Sequence, residues 1–150
     1  YLLATYRELI AMRSVSLSIA GYFRATPVQR VTSAEPGVFE ATARWSERIA
    51  DRIVHTQQAH FQYPILHYFR PADDSWALPI QLGKILELRQ SARAGRDNGM
   101  TAHPSYGALF EAVDDYIADM NTHFVPGPMG RSERDIQAAL QRIRTYMAYS

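Results

Sequence analysis

The chain has 150 residues, 47% of them apolar, with 9 Tyr, 6 Phe and 2 Trp, which is the composition of a globular domain and excludes a disordered one. Sixteen basic residues against fifteen acidic ones leave a formal net charge of +1, so charge gives no reason to expect nucleic acid or an anionic membrane as the main partner, and no direct membrane insertion of this piece is expected. Cysteine is absent, which excludes disulfides, thiolate nucleophiles and thiolate zinc sites.

No run approaches the ~20 apolar residues that span a bilayer, and no signal-peptide pattern is present. The sequence opens at Tyr1 without a methionine and reads as one domain, 1–150, cut from a longer protein. Leu2, Leu3, Tyr6, Leu9, Ile10 and Arg13 recur at helical spacing, predicting a helix from Tyr1 to about Arg13. Ser14 to Ile19 then alternates strictly. That pattern alone suggests a strand, but no partner strand exists elsewhere, and a continuing helix with a serine-rich face is the preferred reading. Gly21 to Ser33, with Pro27, reads as loop.

A second helix is expected from Pro36, tolerated in a first turn, to about Gln62. Its apolar face holds Trp45, Ile49, Ala50, Ile53 and Val54. Arg44, Arg48 and Arg52 form a row broken by Glu47 and Asp51, which reads as a solvated face of mixed sign. Ser75 is the expected N-cap of a third helix through about Arg93, with Pro79 near its start and Leu78, Leu82, Ile85, Leu86 and Arg89 on the 3.6 period. Ala94 to Thr101 is a turn. Pro104 opens the most regular helix, with Tyr106, Leu109, Phe110, Val113, Ile117, Met120 and Phe124 on one side and Glu111, Asp114, Asp115 and Asp119 on the other. Pro126 to Gly130 ends it. Ser132 with Asp135 approximates a capping box for a last helix through Ile136, Leu140, Ile143 and Met147. The expected fold is therefore all-α, a compact bundle of five to six helices.

Catalytic patterns are weak throughout, and the chain reads as non-catalytic, with no cofactor. His55, His60 and His67 are close in sequence, but His55 and His60 are five apart and diverge on a helix, whereas ligands on one face sit three or four apart. The Asp115–Asp119 pair shares a face that reads as solvated, or as a docking patch for arginines. No serine sits in a nucleophile turn and no glycine loop is followed by a phosphate-binding lysine.

The richest segment is His60 to Trp76, which joins two helices with a density of aromatics unlike a plain linker. His60, Tyr63, Pro64, Tyr68, Phe69, Arg70 and Trp76 admit two readings: an aromatic mini-core fixing a helix crossing, or an interface anchored by Tyr, Trp and Arg.

The matches His60, Pro64, Phe69-Arg70 and Ser75-Trp76, with Tyr1-Leu2, Tyr6 and Arg13 to Ile19, resemble the cytoplasmic C-terminal region of bacterial two-transmembrane potassium channel-like proteins. The resemblance covers most of the first 90 residues and departs at Pro71, where a serine is more typical. It implies a cytosolic regulatory or assembly domain at the inner face of the bacterial membrane. The partners it implies are the transmembrane pore domain of the same chain and further copies in a homo-oligomer. A selectivity filter is absent from these residues. A soluble interaction module and a helical-bundle enzyme of the histidine-metal hydrolase kind are the alternatives.

Overall fold

The computed structural model describes residues 1–33, 35–68, 73–95, 99–125, 127, 130 and 132–149, excepting the side chains of residues 67, 68 and 147–149. The serine-rich stretch is helical: α1 runs unbroken over Leu2–Ala25. Ser16 is satisfied within the helix by donating to the Met12 carbonyl at 3.2 Å. The expected loop from Gly21 to Ser33 is corrected at both ends. Helix continues to Ala25 because Phe23 is buried, and a short α2 forms at Val28–Thr32 because Val28 and Val31 are drawn into the core. The break between them falls at Thr26, where Pro27 disfavours helical geometry for the residue before it.

α3 spans Pro36–Gln62 with proline in its first turn. Trp45, Ile49, Ala50 and Ile53 are buried, whereas Val54 is 40% exposed and lies outside the apolar face assigned to it. Two 3-10 turns follow, Pro64–Tyr68 and Asp74–Trp76. Ser75 does not cap the next helix. Its backbone N–H and hydroxyl both donate to Asp73 Oδ1, at 2.8 and 2.7 Å, and these bonds hold the Asp73 carboxyl below its usual range. With Ser75 engaged in this turn, α4 starts later, at Leu78–Ala94, with Ala77 at the cap position.

Gly99, with φ at +78°, supplies the left-handed residue of the turn into α5. α5 covers Pro104–His123, its N-cap made by His103 Nδ1 accepting from the Ser105 N–H at 3.2 Å. α6 covers Glu133–Tyr149 and begins with the expected reciprocal cap: Asp135 N–H donates to Ser132 Oγ at 3.1 Å and Ser132 N–H to Asp135 Oδ2 at 3.3 Å. Among the described residues the fold is thus an all-α bundle of six helices without strands. Its main core draws side chains from every helix, and α3 against α5 is the most extensive pairing.

One charge sits inside this bundle. Arg89, 2% exposed, donates to Asp114 Oδ1 at 2.7 Å, lies 3.7 Å from Glu133 Oε1, and has its guanidinium carbon 5.9 Å from the Phe110 ring centre. It therefore ties α4 to both α5 and α6. The α5 carboxylates are accordingly not a uniformly wet face: Asp114 takes Arg89, and Asp119 accepts from Gln57 of α3. Removing one member of a buried ion pair costs about 3–5 kcal/mol, so Arg89→Ala is expected to lower the unfolding free energy by that amount in urea denaturation. Arg93→Ala, which breaks the more exposed 2.6 Å bond to Glu133, is expected to cost less than about 1 kcal/mol.

Candidate functional site

The segment after α3 wraps the first half of α1. At the start of α1, the Tyr1 and Tyr63 rings are 5.6 Å apart at an angle of 59°. One step further along, Leu9 packs with Ala59 and Leu66 in a small hydrophobic cluster separate from the main core, with Met12 and Tyr63 against it. At the third point the Arg13 guanidinium carbon lies 5.4 Å from the centre of the Trp76 ring. Such a cation–π contact at a half-exposed site is worth about 0.5–1 kcal/mol. Three successive levels of α1 are thus gripped by residues drawn from 59–76.

The residues singled out in this segment have unequal roles. His60 is 3% exposed; its Nε2 is 3.2 Å from the Tyr116 hydroxyl, and its ring is 6.0 Å from Phe124, so it faces inward. Burial pushes the Tyr116 phenol above the usual tyrosine range. Tyr63 and Trp76 are half-buried against α1, and Pro64 is exposed. The Tyr68 side chain, Phe69, Arg70 and Pro71 lie outside the described residues.

α3 holds α1 from another side with polar groups, Arg52 just past the middle of the helix and His55 in its first half. Arg52 donates from Nη1 to Ser18 Oγ at 3.0 Å and from Nη2 to Ser14 Oγ at 2.7 Å. Arg44 and Arg48 are exposed, as a solvated row requires, but Arg52 is a clamp, because the serines at i and i+4 of α1 give its planar fork two acceptors in line. Nearly two turns earlier on α1, His55 Nε2 lies 3.0 Å from Glu8 Oε2. Between the clamps a groove of about 460 Å³ opens, floored by Ile10, Ala11 and Val15 and rimmed by Arg7, Asp51, Arg52 and His55.

The described histidines do not converge. His55 faces Glu8, His60 faces Tyr116, His103 caps α5 beside Phe39, and His123 packs on Phe61 with ring centres 5.0 Å apart. Among the described residues no group of three His, Asp or Glu side chains is placed to hold a metal ion. No helix among them is long and apolar enough to cross a membrane. Comparison with protein-family models, with curated proteins and with solved structures returns no match.

Sequence reasoning missed Leu66, Arg13 and Arg52 as members of this arrangement. The Ser14/Ser18 spacing carried a signal for Arg52 once the stretch was taken as helix; Leu66 and Arg13 carried none, since their partners depend on the path of the linker. The clamp has a measurable consequence. Leu66, 1% exposed, contributes about 1.5–3 kcal/mol by burial. Leu66→Ala is expected to raise amide hydrogen exchange at least tenfold over Thr5–Met12 of α1, while Val15–Phe23, embedded in the main core, keeps the protection of the bundle.

Proposed function

We propose that the chain is the cytosolic regulatory and assembly domain of a bacterial potassium channel-like membrane protein, acting without catalysis at the inner face of the membrane. The observation that carries this reading is the three-level grip of residues 59–76 on the first half of α1, at Tyr1, Leu9 and Arg13. The residues that carry the family resemblance, Trp76 and the segment from His60, are among those that hold α1 or support its holders.

In this reading α1 continues from the pore-lining helix, and force applied at its Tyr1 end reaches the linker before it reaches the main core. The first half of α1 rests on a two-leucine cluster and the Glu8–His55 pair, the second on Arg52 and on Val15, Ile19 and Phe23 in the main core. A shift of the first half against a fixed second half is, in this reading, the movement through which open and closed states are biased. The pore domain of the same chain is the partner that delivers the force.

The test is the coding sequence upstream of Tyr1, with ion flux measured on the full protein reconstituted in vesicles. Two apolar stretches of about 20 residues around a Thr-Val-Gly-Tyr-Gly-like filter, with potassium flux, are the expected result. Trp76→Ala is then expected to change the open fraction at least twofold while leaving assembly intact. An upstream soluble domain, or a start codon beside Tyr1, overturns the reading and leaves the soluble interaction module, which the exposed apolar surface of α1 favours.

A further inference from the structure

Two polar bridges join α1 to α3, and the span between them is open. Glu8, held by His55, and Ser14, held by Arg52, are separated by about 9 Å of helix. Within that span α1 presents Ala11 and Ser14, too short to fill the space between it and the long Arg52 and His55 side chains. The resulting groove of about 460 Å³ falls in the range of small-molecule sites, ~300–1,000 Å³.

The floor is apolar. Val15 and Thr56 are each 2% exposed, and the Thr56 hydroxyl already donates to the Arg52 carbonyl at 3.0 Å, so beside Ile10 and Ala11 it adds no free donor. The rim is charged and unbalanced. Arg7 and Arg52 stand against Asp51, a positive excess even with His55 neutral. Asp51 has Arg48 three residues before it and His55 four after, the spacings at which side chains meet on one helix, so its charge is answered from α3. Glu8 is outside the lining and is held by His55. Arg52 has both terminal nitrogens on serines. Arg7 is exposed and makes no hydrogen bond or ion pair among the described residues, and its planar fork matches a carboxylate bond for bond. Ser14 Oγ accepts from Arg52 and keeps its own proton to donate.

We propose that this groove binds a small aliphatic monocarboxylate, and that the bound molecule fastens the first half of α1 to α3. The carboxylate pairs with Arg7, and the chain lies along Ile10, Ala11 and Val15. A cationic or neutral apolar ligand leaves Arg7 unanswered, and a bare anion leaves the floor wet. A dianion brings its second charge toward Asp51.

Octanoate is the probe. For about ten non-hydrogen atoms in an open groove, the low end of ligand efficiency gives a Kd on the order of 1 mM. Titrated into the nitrogen-15-labelled chain, octanoate is expected to give saturable amide shifts at Arg7, Ile10, Ala11, Val15 and His55. Arg7→Glu, at an exposed position, and Ala11→Leu, which fills the floor, are each expected to weaken binding at least tenfold. Octylammonium, which keeps the chain and reverses the charge, and acetate, which keeps only the head, are expected to bind at least tenfold more weakly. At ten times the Kd, amide exchange over Thr5–Met12 is expected to slow about tenfold, as for any ligand that binds only the docked arrangement. Octylammonium or acetate binding as tightly as octanoate overturns the proposal. So do shifts confined to the exposed strip of Leu2, Leu3 and Tyr6, and so does a titration that never saturates. Saturation at the groove without slower exchange overturns the fastening. Ion flux enters none of these readouts, so the channel reading stands or falls separately.

Discussion

The contact on which the position of α1 depends is the packing of Tyr22 and Phe23 on Trp45. Tyr22 stacks on the indole at 4.1 Å between ring centres, Phe23 meets it edge-on at 5.5 Å, and the Tyr22 hydroxyl bonds Thr42 at 2.5 Å. Trp45 belongs to the same face of α3 that packs Ile49 and Ile53 into the main core. The last turns of a helix about 36 Å long are thereby pinned to the bundle. Arg52 holds the middle of the helix through Ser14 and Ser18, and the first half extends beyond, supported by the Leu9–Leu66 cluster and by His55 at Glu8.

The two halves differ in stability for a calculable reason. Burying a leucine contributes about 1.5–3 kcal/mol, and ordering one residue of backbone costs about 1–2 kcal/mol before hydrogen bonding is counted. Two leucines therefore hold the first turns of α1 only with help from the polar clamps, of which the Glu8–His55 pair is surface-exposed and worth less than about 1 kcal/mol. The opposite end of the molecule is braced differently. Arg89 joins α4, α5 and α6 from within, and the fully buried Asn121 of α5 accepts from Arg142 of α6 at 3.0 and 2.8 Å while donating to the Gly127 carbonyl at 3.1 Å. A Cβ at Gly127 would lie 2.5 Å from Arg142 Nε, so a larger residue there displaces the Arg142 side chain from Asn121. The result is a stiff base and a lightly held lever.

Much of this was legible where one periodicity dominated. The bounds of α3 and α5 follow from Pro36, Pro104 and the 3.6 period, and the Ser132–Asp135 cap from two residues alone. Gly21 to Ser33 was misread because Gly, Thr and Pro mark a loop locally, while burial of Phe23, Val28 and Val31 is decided by distant residues. Ser75 was misread because two residues competed for one turn and Asp73 took it. The linker contacts were beyond reach in kind. That Trp76 meets Arg13, and Tyr63 meets Tyr1, is settled by where a non-periodic segment crosses α1, and no spacing rule encodes a crossing.

The exposed strip on α1 gains its meaning from the same asymmetry. An apolar strip on a rigid, fully packed helix would be a docking face and nothing more. Here most of the exposed apolar residues, Leu2, Leu3, Tyr6 and Ile10, lie on the length of helix that the bundle holds least firmly, before Val15 and Ile19 enter the main core. Any partner on the strip must order the first half of α1, and its binding energy is reduced by what that ordering costs. Linkage makes this reciprocal: whatever loosens the grip of Leu66 and Trp76 weakens binding of such a partner, and binding tightens the grip. Such a partner and the linker would therefore act on one element from two faces, and a helix buried more securely would transmit nothing between them.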